Sequence, residues 1–310
     1  MRNMLRMLET ANEDYIPFRR EELGIEPHVF EDVARRCGFE PIMLGSGIKT
    51  RIKLKKRGIP IVKLYDKDES NRFNYLDIAD IHAGHPDFSP EVLDEVLAKY
   101  YNGGKPTVDY VFIAGDLFEG ITTDEYSYEL VTQNPHMKER VNSIRNHQVN
   151  LLFNVLSKYD FDYRVINGNH EYTFEQLGVD SPIALLERMM HQRQKKFTYY
   201  DTYIIDFVIA GVVKRMMHLE SFHQREGAVH AYDRLMKFRK HGGLTPYYGD
   251  KKHPIRMFQC GHIHRREELY DSMDKIFISQ SGSFIKDELL YAPSIHMKGT
   301  VLDDNRILRD

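Results

Sequence analysis

A chain of 310 residues, 42% hydrophobic and 29% charged, has the makeup of a globular protein and the length for one large α/β domain, or for a medium domain with a small appendage. Its formal net charge of −3 selects no class of partner, because local patches rather than totals attract polyanions. Two distant cysteines, Cys37 and Cys260, exclude a disulfide scaffold, early charges exclude an apolar leader, and no stretch reaches the ~20 apolar residues of a membrane span, so a cytoplasmic setting is expected.

Residues 1–70 read as a small α+β unit. Residues 18–25 and 31–36 are expected helices around a glycine-containing turn, and residues 39–44 and 48–54 an expected hairpin around Gly45-Ser46-Gly47. That order resembles a winged helix. Lys49, Arg51, Lys53, Lys55, Lys56, Arg57 and Lys63 meet no acidic residue between them, a run able to grip DNA or RNA phosphates. The same alternation also describes the solvated face of an edge strand, so a docking unit is the competing reading. A polar linker over residues 65–73 leads into the second expected domain, residues 71–310.

From there apolar runs alternate with amphipathic stretches, as in stacked β-α units. Residues 75–79 form an expected strand ending at Asp80-Ile81-His82, followed by a helix over residues 90–101. In an extended segment, an oxygen and a nitrogen ligand two residues apart point the same way and can share one ion. Residues 108–114 are the most apolar run and end at Gly115-Asp116, where one carboxylate can bridge two cations. A helix over residues 138–159 precedes the run 163–166, which ends at Asn167-Gly168-Asn169-His170-Glu171. Asn169 offers a neutral carbonyl ligand, and His170, facing elsewhere, is free as an acid or charge donor. Finally, residues 257–260 lead to Gly261-His262-Ile263-His264, two histidines spaced to reach two ions about 3.5–4 Å apart. In open α/β sheets such strand ends converge at one rim.

The order Asp-x-His, Gly-Asp, Gly-Asn-His-Glu, a middle histidine and Gly-His-x-His resembles the calcineurin-like metallophosphoesterase superfamily over residues 73–310. The resemblance implies an α/β fold in which a sandwich of two β-sheets is flanked by helices. It implies a first ion on Asp80, His82, Asp116 and His264, and a second on Asp116, Asn169, the middle histidine and His262. His170 matches the family's catalytic histidine that binds no metal. For the middle histidine, His218 and His223 share one apolar run; His223 is preferred, because it precedes a loop and the expected helix over residues 228–239, whereas His218 reads as mid-strand. A ligand set of imidazole, carboxylate and amide without thiolate suits two divalent ions, Mn²⁺ foremost and Fe or Zn²⁺ next, better than Mg²⁺.

Gly115-Asp116-Leu117-Phe118 and the His223-Gln224 pair look like the nuclease branch found in double-strand-break repair complexes. The short stretch after His264 offers no room for the extra domain and docking helices of those nucleases. The expectation is therefore a phosphodiesterase or nuclease working through a hydroxide that bridges the ions. A phosphomonoesterase on small molecules or phosphoproteins is the alternative, and a non-catalytic nucleic-acid-binding or docking protein the second.

Overall fold

The computed structural model describes residues 27–36, 39–44, 51–56, 59–65, 72–121, 125–209, 212–218, 255–262, 264, 267–271, 276–285, 295–301 and 307–309. It begins with helix α1 (Pro27–Arg36) and an antiparallel hairpin of β1 (Phe39–Leu44) and β2 (Arg51–Lys56), with Leu44 opposite Arg51. These occupy the places of the second helix and hairpin expected in the N-terminal unit. The expected first helix, Lys49 and Arg57 lie outside the described residues, while Arg51, Lys53, Lys55 and Lys56 fall on β2. β3 (Ile61–Tyr65), on the N-terminal side of the expected boundary, pairs in parallel with residues 204–209 and is a strand of a main sheet.

Next come β4 (Arg72–Ile78), α2 (Pro90–Ala98), β5 (Tyr101–Asn102), β6 (Lys105–Pro106) and β7 (Tyr110–Ala114). α2 starts on Pro90, whose missing N–H costs nothing in a first turn, and buries Leu93, Val96 and Leu97 on one face. It stops at Ala98, short of the expected 101, because Gly103 and Gly104, at φ 57° and 80°, turn the β5–β6 hairpin. Then follow α3 (Tyr128–Gln133), α4 (Pro135–Leu156), β8 (Tyr163–Ile166), α5 (Tyr172–Gln176), α6 (Pro182–Gln192), β9 (Phe197–Tyr200), β10 (Ile204–Ile209) and β11 (Val212–Met217). α4 begins at Pro135 rather than 138, since Asn134 Oδ1 accepts from the His136 N–H at 3.0 Å. The last strands are β12 (Ile255–Cys260), β13 (Glu267–Asp271), β14 (Ile276–Gln280), β15 (Ile295–Val301) and β16 (Ile307–Arg309). The helix expected over residues 228–239 lies outside the described residues.

Two six-stranded sheets result, in the orders β13-β14-β12-β11-β10-β3 and β16-β15-β4-β7-β8-β9. In the second, β4, β7, β8 and β9 run parallel and β15 antiparallel to β4. Alternation along β7 sets the layers. Tyr110, Phe112 and Ala114 join Phe207, Met216, Met257 and Phe277 of the other sheet, while Val111 and Ile113 join Leu97 of α2, Leu152 of α4 and Leu186 of α6. This is a mixed α/β sandwich of two sheets flanked by helices. A polar seam crosses its middle: Lys214 Nζ donates to Asp77 Oδ2 at 2.8 Å, Ser279 Oγ donates to the same oxygen at 3.0 Å, and all three side chains are buried. Among the described residues no helix is long and apolar enough to cross a membrane.

Candidate dinuclear metal centre

The loops after β4, β7, β8, β11 and β12 converge at one rim, where parallel strands direct their carboxyl ends. Backbone bonds tie these loops together: Asp80 N–H donates to the Gly115 carbonyl at 3.1 Å and His82 N–H to that of Asp116 at 3.0 Å. His262 N–H reaches the Asp80 carboxylate at 2.8 and 2.9 Å, and His170 N–H reaches Asp116 Oδ1 at 3.0 Å. Six non-glycine residues among those described have positive φ, and five of them are Asp80, His82, Asp116, His262 and His264. Backbone held in this left-handed region marks a place where the surroundings over-determine the conformation.

Asp80, His82, Asp116 and His264 bring one donor atom each within 4.8 Å of one another. His82 Nε2 and His264 Nε2 face each other at 2.9 Å, and His264 Nε2 lies 3.6 Å from Asp80 Oδ1. Asp116, His218 and His262 form a second group on the same criterion, so the Asp116 carboxylate belongs to both. Asn169 Oδ1 completes this second group, 3.1 Å from His218 Nε2 and 3.0 Å from His262 Nδ1.

Of the two candidates for the middle histidine, the structure describes His218 alone. β11 ends at Met217, so His218 stands at the strand end and not within it. Its buried ring meets the Ala114 carbonyl through Nδ1 at 2.6 Å and points Nε2 at Asp116 Oδ2, 3.0 Å away. An Nδ1–H given to the carbonyl leaves an Nε2 lone pair free for a cation. His223 lies outside the described residues.

Glu119 and Glu171 gained no role from the sequence, although Glu171 ends one quoted motif and Glu119 directly follows another. Glu119 Oε2 lies 2.9 Å from His82 Nδ1, which fixes that ring with Nε2 toward the cluster. The Glu119 carbonyl accepts from His170 Nδ1 at 2.7 Å, leaving Nε2 of His170 as the free end of a ring set edge-on to His82, with centroids 4.5 Å apart. Glu171 is fully buried; its carboxylate accepts from the N–H groups of Leu117, Phe118 (3.1 Å) and Gly168 (2.8 Å), clamping the loops after β7 and β8. The only sequence signal for such carboxylates is an acid placed directly after an apolar run beside a ligand motif.

Charge is badly balanced without a cation. Burial pushes Asp80 up to about 8, with nearby Asp116 adding to the effect. Burial opposes charge on His218, but Asp116 beside it lifts the ring to about 10. Burial together with the neighbouring His82 drives His264 down to about 3. Asp116 Oδ2, buried, finds no hydrogen bond of acceptable geometry among the described residues, although His218 Nε2 is 3.0 Å and His82 Nε2 3.8 Å away. Converging nitrogens around an orphaned carboxylate oxygen fit divalent cations, which would replace the protons held here.

Comparison with known proteins agrees with this chemistry at the level of family. The family model for calcineurin-like phosphoesterases matches residues 74–266. Comparison with curated proteins gives no match. Among solved structures, the chain is similar to a dimetal phosphatase from Danio rerio, at 9% identity over 76% of this chain and 94% of that one, with a TM-score of 0.39. It is also similar to an archaeal phosphodiesterase, at 11% identity over 76% and 98% with a TM-score of 0.37. Wild-type Vps29 from Entamoeba histolytica complexed with Zn²⁺ is similar at 14% identity over 76% and 97%, TM-score 0.33. On the extent of the family match, this chain belongs to the calcineurin-like phosphoesterases.

Proposed function

We propose that the chain is a phosphodiesterase working with two divalent ions, the first held by Asp80, His82, Asp116 and His264 and the second by Asp116, Asn169, His218 and His262. The observation that carries the reading is the pair of donor groups sharing Asp116. When bound, such ions supply Lewis acidity to a phosphoryl group and a source of nucleophilic water. The protein's own part is to orient and to exchange a proton. Glu119 and the Ala114 carbonyl hold His82 and His218 with Nε2 inward. His170, anchored through Nδ1, presents Nε2 to a non-bridging phosphoryl oxygen or to the leaving alkoxide.

Support for a diester substrate comes from two features of different kind. Gly115-Asp116-Leu117-Phe118 resembles the nuclease branch of the family, and β2 carries four basic residues, Arg51, Lys53, Lys55 and Lys56. Nucleic acid is the polyanion those residues suit. The test is turnover of bis-p-nitrophenyl phosphate against p-nitrophenyl phosphate after loading with Mn²⁺, Fe²⁺ or Zn²⁺, with Asp116→Ala beside wild type. Faster diester turnover, lost in Asp116→Ala together with both ions by elemental analysis, is the expected outcome. Faster monoester turnover would make the protein a phosphomonoesterase, and a fully metallated, active Asp116→Ala would remove its bridging role.

A further inference from the structure

Arg36, the last residue of α1, is only 8% exposed although it lies far from the centre in sequence. Its guanidinium pairs with Glu175, with Asp32 at 3.2 Å and with Asp201 at 3.2 Å, and it lies over the Tyr172 ring, 5.1 Å from the centroid. Its carbonyl accepts from Thr202 Oγ1 at 2.7 Å and the Tyr203 N–H at 3.4 Å. These partners bracket one short segment. On the upstream side, Asp201 Oδ1 accepts from Asn167 Nδ2 at 2.7 Å, and the Tyr199 hydroxyl is 2.7 Å from Asn167 Oδ1 and 3.0 Å from Asp201 Oδ1. On the downstream side, Tyr172 and Glu175 lie on α5, which begins straight after Glu171. Asn167 is fully buried, and between it and Tyr172 run Gly168, Asn169, His170 and Glu171.

We propose that Arg36 is a positioning residue: from the N-terminal segment it grips both ends of the loop carrying Asn169 and His170, and so sets the affinity of the second ion. The proposal rests on Asn169 being a ligand of that ion. The physical warrant is a contiguous chain of contacts, Arg36 to Asp201 to Asn167 on one side and Arg36 to Glu175 and Tyr172 on the other. The planar guanidinium engages three carboxylates and one aromatic face together, which a lysine ammonium cannot. A side chain that merely pins α1 to the domain would affect folding stability and leave the two ions equally bound.

Calorimetric titration of the metal-free full chain with Mn²⁺ separates these cases. Arg36→Ala and Asp201→Ala should each weaken the second ion roughly tenfold, at the low end of what outer partners of a metal ligand are worth, and leave the first ion unchanged. Their double variant should lose less than the product of the two single losses, because both lie on one path. Asp201, with its side chain 59% exposed, can be replaced without threat to the fold and keeps the test alive if Arg36→Ala does not fold. Leu186→Ala, a core truncation under α6, should lower Tm while moving neither affinity. Unchanged second-ion binding in both Arg36→Ala and Asp201→Ala would overturn the proposal and leave the ligand assignment intact. A wild type that binds one ion, or an Asn169→Ala variant that still binds two, would overturn the assignment and the proposal together.

Discussion

At the scale of the residue, the proposed second ion site turns on His218. Its ring is buried, its Nδ1 faces the Ala114 carbonyl, and its Nε2 faces Asp116 and Asn169. His218→Ala should release the second ion and cut turnover by at least about 10²-fold, while His223→Ala retains the ion; metal content and kcat of the folded variants decide. The candidate ligands legible in the sequence were those that come as tight motifs, since Asp80-Ile81-His82 and Gly261-His262-Ile263-His264 carry their chemistry in three or four adjacent residues. The sequence offered His218 and His223 together and could not place either at a strand end, because where the pairing of β11 with β10 and β12 stops is a property of two other strands. Glu119 and Glu171 act across loops distant in the chain, so their roles needed the fold as well.

Elements explain why the loops hold their shape. Gly168 follows β8 so closely against the next loop that a Cβ there would sit 2.1 Å from both Asp116 N and Asp116 Oδ1. Gly168→Ala should therefore shift the loop bearing Asn169 and His170, cost about 1–3 kcal/mol in urea denaturation, and weaken binding of both ions. Gly104→Ala is the fitting contrast: nothing lies within 4 Å, φ is +80°, and a loss of about 1–2 kcal/mol should come with metal binding untouched. The strands before each motif were readable from their apolar runs, and the α/β sandwich followed from the family pattern. Element ends were less readable. α4 begins where Asn134 caps it, and α2 ends where a Gly-Gly turn starts a hairpin, so local turn chemistry prevailed over the apolar periodicity used to place both helices.

The whole molecule depends on two sheets meeting across a largely apolar layer with the Lys214–Asp77 pair inside it. Lys214 lies 4.5 Å from the Tyr75 ring centroid and 4.9 Å from that of Phe112, so the cation is enclosed by the layer it bridges. Lys214→Met alone should cost about 3–5 kcal/mol, because it strands a buried carboxylate. Adding Asp77→Leu should recover most of that loss, measured by urea denaturation of the metal-free protein; a double variant as unstable as the single would mean that the pair itself supplies the stability. The left-handed backbone at Asp80, His82, Asp116, His262 and His264 has a consequence for substitution. Each such residue costs on the order of 1–2 kcal/mol that glycine would not. Glycine alone would relieve that strain, and it would remove the side chain with it, whereas most other residues tolerate the left-handed region less well than Asp or His. At these five positions relief of the backbone and loss of the side chain therefore come in one substitution, so strain and chemistry cannot be shed separately.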